Sequence, residues 1–574
     1  MKLVIPTPYF YRFLGGVLDD YRRRMPYVRS DIMDSFDRKT LSAALMMFLA
    51  TFCSTVALGS IIERHTDSHI GLSEFLLMNG IAGMVHAAFS CQPLLILRPT
   101  GPITLMITQI YILSLQLNID FFALMAWTGL GVSIWSFLVS GLELSRHIAL
   151  LTTFAHDVFA AFVSSIYVVD GITAVIGRFY LDGSPSRPLF ALTISSALVI
   201  IAFALGSLRD PSSSRLFSRW ARHLIADYAL ATATISATMI SFAYGTTVEV
   251  ERIMLSDKVE PTFSLRAASS SWLVSLWDCS YSALFTTMLV GLGISLPIVI
   301  FFYFDQNFSS LLSQTSNLKL RKGSYYNSSF LWMGLFNGVG PLFGLPFVTG
   351  SLPHSPQMVL ALTRDDDGSP QLEGGAQEPR RGRGPPPVCE NRVAPFLVYF
   401  LIFASYVLAA GRHVIESIPV SAADAVLIVV GLEGIFATQL WHRLAVLVTT
   451  DEEWTAGGGG EEPSATRLYV LLQLIVLGCG WGLNFTPFAL AFPFVIAGLV
   501  PIHAYVLPIL FTSKQLIVLE GNTEEAGGFS GAEEEKFWRC YMSMEDEEQE
   551  EENNADSSAK KTGNGLEPLI RVAA

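Results

Sequence analysis

Charge is what this chain has least of. Only 15% of its 574 residues are Asp, Glu, Lys or Arg, against 51% hydrophobic residues, and its mean hydropathy is positive. Soluble chains carry about a quarter charged residues, so a water-soluble globular fold is excluded. Cysteine is also scarce. The six thiols (53, 91, 279, 389, 479 and 540) are scattered, with no Cys-x-x-Cys. That excludes a disulfide framework and a zinc site and leaves small buried hydrophobes as the ordinary reading of most of them. A nucleophile–base pair, a metal-ligand cluster and a phosphate-binding loop are all missing, so no enzyme activity, metal, cofactor or nucleic-acid partner is expected. The net charge of −13 is uneven: about ten of the negative charges lie after residue 519. It describes a solvated acidic tail containing Glu545–Glu552, not an acidic binding surface. The basic Arg22–Arg24 is followed by polar residues before the first apolar run, so no cleavable signal is read there.

Apolar runs are what the chain has in abundance, near the membrane-spanning length of about 20 residues. The first half reads as Leu41–Ile62, Ser73–Ser90, a short broken Pro99–Leu115, Phe121–Leu142, Val158–Ile176, Leu189–Leu208 and Ala226–Tyr244. The order then returns as Ala283–Phe304, Ser329–Leu345, a broken Thr349–Thr363, Val393–Ala410, Pro419–Leu440, Arg467–Leu483 and Pro487–Phe511. Seven is odd, so the second half enters the membrane upside down. The expected fold is an all-α polytopic membrane protein with 14 transmembrane segments in a 7+7 inverted repeat. Its expected divisions are a cytoplasmic N-terminal segment (1–39), a first repeat (40–245), an extracellular loop (246–282), a second repeat (283–512) and a cytoplasmic acidic tail (513–574). Residues 364–392, rich in Gly, Pro, Asp and Arg, read as a disordered loop. With both termini cytoplasmic, the basic stretches Arg209–Arg222, Lys319–Lys322 and Arg380–Arg383 all fall inside, as the positive-inside rule requires.

The chain is organised around Gly340–Leu362, GPLFGLPFVTGSLPHSPQMVLAL, an apolar run broken by Gly344, Pro346, Gly350, Pro353 and Pro356. Glycine permits unusual backbone geometry and proline removes a donor. The reading is a helix ending near Pro346, a short extended crossing, and a short helix starting near Pro353. A second break, Cys91–Met106 (CQPLLILRPTGPITLM), lies about 250 residues earlier. Interrupted segments at corresponding places in two halves point to a transport site. Helix starts carry unpaired amides and partial positive charge, so the expected ligand is an anion near the midplane. A kinked helix with a packing role alone is the bland alternative.

Several side chains stand at these breaks. Asp305 ends an apolar span in FFYFDQNFSS, and a carboxylate at a membrane segment is functional by default; an interfacial helix end is the alternative. Arg98 directly precedes Pro99, where it would add a full positive charge, or else snorkel to water or pair with a carboxylate. His354 lies in the first turn of the second short helix and could serve an anion or fill one hydrogen bond. Thr100, Thr349 and Ser351 are small hydroxyls suited to an oxyanion, or to plain capping. Asp227 reads as an N-cap or a partner of Arg219 or Arg222.

The stretches GMVHAAFSCQPLLILRPTGPITLM, WARHLIADY, FYFDQNFSSLLSQTSNLKLRKGSYYN and PLFGLPFVTGSLPHSPQM resemble the bicarbonate transporter (anion exchanger) family, and more closely its boron-transporter branch. Weaker similarity runs over residues 30–515. The resemblance implies a core domain of segments one to four and eight to eleven, and a gate domain of the rest that carries a homodimer contact. It implies a small-anion site between half-helices at Gly101–Met106 and Leu352–Met358. Gly101, Pro102, Ile103, Gly350 and Leu352 then join the candidate lining, faced by Thr55 on the first segment and Asp305 on the eighth. His354 falls where animal anion exchangers have arginine and boron transporters glutamine. Arg98 replaces a residue usually small or apolar, Thr55 stands where many members have proline, and Ala229–Thr232 lacks the family's proline. The implied function is secondary active exchange of a small inorganic anion at the plasma membrane, with borate leading and bicarbonate the alternative. Chloride, a coupling cation or a proton are further candidate partners. A sulfate or nucleobase carrier of the same architecture is a more distant reading.

Overall fold

The computed structural model describes residues 13–521 except 151–152, 182–184, 210–216, 245–247, 270, 277–280, 316–317, 319, 364–387, 449–461, 485 and 487–488. Two short helices, α1 (Gly15–Arg24) and α2 (Val28–Met33), precede the first long one, α3 (Arg38–His65). Then come α4 (Leu72–Phe89), β1 (Leu97–Arg98), α5 (Gly101–Leu117) and α6 (Phe121–Gly141). Next are α7 (Thr153–Leu181), α8 (Ser186–Gly206), α9 (Arg219–Asp227), α10 (Ala229–Tyr244) and the short α11 (Ser264–Ser269). The second half runs α12 (Tyr281–Ser313), α13 (Asn327–Val339), β2 (Thr349–Gly350), α14 (His354–Ala361) and α15 (Val393–Val407). It closes with α16 (Ala409–Glu416), α17 (Val420–Phe436), α18 (Gln439–Arg443), α19 (Pro463–Asn484) and a broken run from Ala489 to Leu510.

Among the described residues seven helices are long and apolar enough to cross a membrane, or ten when three sharply bent pairs each count as one span. The pairs are α9–α10 (66°), α15–α16 (84°) and α17 with the helix after it (65°). Local chemistry sets the ends. Asp37 and Asp120 cap α3 and α6, accepting from Lys39 N and from Ala123 N, which satisfies first-turn amides. Glu74 reaches back to Gly71 N at 3.0 Å. Asn118, left-handed at φ 52°, ends α5, a conformation asparagine tolerates.

The order helix–helix–strand–short helix–helix occurs twice, as α3-α4-β1-α5-α6 and as α12-α13-β2-α14-α15. The two corresponding strands pair antiparallel. Equivalent elements that run in opposite directions are what an inverted repeat requires. Packing sorts the helices into two groups. In one, α4 lies on α15, and α6 on α12 and α13. In the other, α7 lies on α17, and α8 on α10 and α17. These are the core and the gate.

Several expectations need correction. Asp305 does not end its span, because α12 continues eight residues further to Ser313. Of the loop expected at 364–392, residues 364–387 lie outside the described set, but Cys389, Glu390 and Asn391 are buried and ordered. Of the tail expected at 513–574, residues 522–574 also lie outside it, whereas Ser513–Gly521 is helical. Lys322, read as part of a basic loop, is buried in an ion pair. Asp227 closes α9 and pairs with Arg209 at 2.5 Å.

One ion pair joins the two groups. Asp424 on α17, fully buried, accepts from Arg178 of α7 and from Arg64 of α3, each at 2.6 Å. Removing this carboxylate takes the shorter partner from Arg178, which keeps only Glu251 at 3.4 Å, and the partner from Arg64. Asp424→Ala should cost about 3 kcal/mol, read as a lowered melting temperature of the solubilised protein. Arg64→Ala should cost less, since Arg64 is 35% exposed and the Arg178 pair survives it.

Candidate functional site

Proline explains the break. Arg98 precedes Pro99, and the proline ring bars its neighbour from helical geometry. Leu97–Arg98 is therefore extended and pairs with β2, Leu97 opposite Gly350 and Arg98 opposite Thr349. Extended backbone among membrane helices must find a partner for every N–H and C=O. Side chains supply what the two-residue ladder cannot. Tyr399 Oη accepts from Leu97 N at 2.7 Å, and Gln306 Oε1 from Gly350 N at 2.6 Å. Asn337 brackets Val348, accepting from its N at 2.7 Å and donating to its O at 2.8 Å. Ser309 Oγ donates to Gly350 O, and Ser355 Oγ accepts from Ile96 N. Gly83 admits Tyr399, since a Cβ there would stand 2.0 Å from the tyrosine ring.

Polar side-chain atoms are left over between the crossings. Arg98 is wholly buried. Its Nη1 donates to Ser54 Oγ on α3 and lies 3.4 Å from His354 Nε2, and its Nε donates to Pro99 O at 3.1 Å. Its Nη2 has no partner, and among the described residues no carboxylate pairs with the guanidinium. Thr100 Oγ1, Thr349 Oγ1, Asp305 Oδ2 and Gln306 Nε2 are likewise buried without partners. The Asp305 carboxyl lies beside both threonine hydroxyls without making a standard hydrogen bond from Oδ2. No residue of this set is more than 4% exposed, so the site is closed to solvent on both sides. A buried guanidinium without a counter-charge is expensive. The arrangement offers a cation, two hydroxyls, an amide donor and one carboxyl to a small anion.

The other predicted residues fall around this set with different roles. His354 opens α14, its Nδ1 2.8 Å from Ser351 Oγ. Three amides at the crossings are taken: Gly101 N donates to Tyr167 Oη, Gly350 N to Gln306, and Ser351 N to Ile96 O. The unpartnered side-chain donors stand beside the first turns of α5 and α14, whose amides face outward from the helix starts. Pro102 and Ile103 are buried in the first turn of α5, and the Leu352 side chain packs in the core. Thr55 is engaged elsewhere, donating to Thr51 O and accepting from Asn79 Nδ2.

Seven residues of the site were not singled out from the sequence: Ser54, Tyr167, Gln306, Ser309, Asn337, Ser355 and Tyr399. Gln306 had a signal, since Asp-Gln-Asn is a costly run inside an apolar segment. Asn337 is a lone amide in an apolar helix. The tyrosines had none, because a buried tyrosine reads as core until its partner is known.

Two mostly antiparallel halves around a buried, unpaired cation have the build of a membrane carrier. The family model for the HCO3- transporter integral membrane domain matches residues 12–182 and 180–524, and the chain belongs to that family. The family consists of transporters, not enzymes. Band 3 anion transport protein of Mus musculus is 23% identical over 536 residues, covering 89% of this chain and 55% of that protein. A Schizosaccharomyces pombe protein named as a candidate transporter is 24% identical over 522 residues, covering 89% of this chain and 96% of that one. The chain spans about half the length of the Band 3 proteins it matches. Among solved structures, the transmembrane domain of the cyanobacterial bicarbonate transporter BicA gives a TM-score of 0.48 at 16% identity, covering 77% of this chain and 98% of that one.

Proposed function

We propose that this protein is a secondary active exchanger of a small, singly charged oxyanion that carries a hydroxyl. The observation that carries the reading is the buried Arg98 guanidinium, paired with no carboxylate among the described residues and with a free Nη2, in a site shared with Thr100, Thr349 and Asp305. Arg98 and the threonine hydroxyls donate to an anion's oxygens. The Asp305 carboxyl and the anion share one proton between them, whichever of the two carries it. Chloride has no proton to share, so it fits as the exchanged counter-ion and not as the species that uses Asp305.

Bicarbonate suits this donor-rich site, since it has one hydroxyl for one carboxyl and further oxygens for the donors. Borate, with four hydroxyls, leans on the resemblance of the sequence motifs to boron transporters. In the same reading the gate carries a homodimer contact, both termini are cytoplasmic by the basic-loop rule, and the membrane is the plasma membrane.

The test is uptake into proteoliposomes with bicarbonate, borate, chloride and sulfate, each against a defined counter-ion. Saturable, counter-ion-dependent flux of bicarbonate or borate is expected, with bicarbonate the better substrate. Asp305→Asn should lower flux of the hydroxyl-bearing anion by about tenfold or more, the scale of a hydrogen bond to a charged group. Chloride flux should change less. Equal loss for all anions would remove the shared-proton role.

A further inference from the structure

Tyr167 sits on α7, in the gate, whereas Arg98, Asp305 and both crossings belong to the core. Its Oη accepts a hydrogen bond from Gly101 N, the first amide of α5, at 2.9 Å. The ring lies against that glycine so closely that a Cβ there would stand 3.0 Å from two ring atoms. The side chain is buried. A phenol both accepts and donates, and here only the accepting half is used: among the described residues no acceptor takes the Tyr167 proton. Arg98 and Asp305 are both within electrostatic reach of the hydroxyl, yet neither is bonded to it. Arg98 Nη2, Thr100 Oγ1 and Thr349 Oγ1 nearby also lack partners.

Resting on the anion-site reading above, we infer that Tyr167 is a substrate-contacting residue supplied by the gate. Its hydroxyl donates to the bound oxyanion while its oxygen holds the Gly101 amide. The amide, the phenol and the anion then form a chain of hydrogen bonds in which each polarises the next. The anion is held jointly by the two packing groups, and any sliding of core past gate breaks the Tyr167–Gly101 bond and changes what the anion touches. Selectivity follows as well, since an anion must present an oxygen to the gate as well as to Arg98. The rival role for the same phenol is a plug, which occupies the Gly101 amide in the empty site and leaves when the anion enters.

The two roles differ in sign. In proteoliposome uptake with bicarbonate as the probe, Tyr167→Phe should raise the half-saturating concentration about tenfold or more and change the maximal rate less. An unchanged or lowered half-saturation overturns the assignment, and a lowered value identifies the plug. Gly101→Ala, which drives the ring from its seat, should raise half-saturation in the same direction and covers the case in which the phenylalanine variant fails to assemble; no rise in that variant also overturns the assignment. Arg98→Met run in parallel separates the two levels. If Arg98→Met leaves uptake intact, the anion site itself has failed. If it abolishes uptake while Tyr167→Phe leaves half-saturation unmoved, only the Tyr167 role falls.

Discussion

Arg98→Met should abolish anion uptake and, in the same protein, raise the melting temperature. The two effects have one cause. The guanidinium is wholly buried, with one free Nη2 and no counter-charge among the described residues. Taking a charge out of water without a partner costs several kcal/mol, and well-packed apolar replacements of buried charges are often stabilising. Methionine has the length to follow the same path past Ser54, and its flexible thioether fills irregular gaps. Loss of two charge-assisted hydrogen bonds to an anion, each about 1.5–3 kcal/mol, lowers affinity by at least about 100-fold. Uptake assays and thermal unfolding of the same purified variant check both halves. A variant that loses uptake and stability together would mean Arg98 is a structural strut held by Ser54 and Pro99. Arg98→Lys is expected to recover little, because a compact ammonium cannot reach Ser54, the Pro99 carbonyl and the anion at once.

Asp31→Ala should prevent accumulation of folded protein. Asp31 lies on α2, ahead of the first long helix, yet it is wholly buried. Its carboxylate accepts from Arg24 (2.6 Å), Lys322 (3.0 Å) and Arg392 (2.8 Å). These cations come from α1, from the segment before α13, and from the residue before α15. Arg392 also donates to the carbonyls of Ala87, Ala88 and Ser90, which the end of α4 leaves without intrahelical partners. One carboxylate thus joins α1 to α2 and ties both to two places in the core, the segment before α13 and the start of α15. Breaking a buried pair by removing one partner costs about 3–5 kcal/mol; Lys322 keeps Asp34 at 2.8 Å and Arg392 its three carbonyls, so the loss is expected within that range, carried mainly by Arg24. Asp31→Asn keeps the shape and some hydrogen bonds but not the charge, and should fall between wild type and alanine in melting temperature. If both variants melt with wild type, the knot is not what holds α1 and α2 to the core.

Much of this molecule was legible without coordinates. The first, second, fourth and fifth spans lie within a few residues of the runs read from composition, because crossing lipid demands about 20 apolar residues wherever it happens. The two breaks were legible because proline and glycine act on their neighbours locally: Pro99 makes Arg98 extended whatever surrounds it. Paired breaks in matching positions told that the two crossings meet. Asp305 and Arg98 stood out as candidates too, since an ionisable group in an apolar run has to have a reason to be there.

Tertiary structure alone decided who satisfies whom. No pattern in the sequence says that Tyr399, Gln306 and Asn337 take the backbone of the crossings. None says that Asp31 and Lys322, 291 positions apart, neutralise one another, or that α12 carries Asp305 past its apolar run into the middle of the protein. Apolar length and proline geometry are properties of a few consecutive residues, so they can be read in order along the chain. Hydrogen-bond partners and counter-charges in a dry interior are chosen by proximity in three dimensions, and that exists only once both halves have packed.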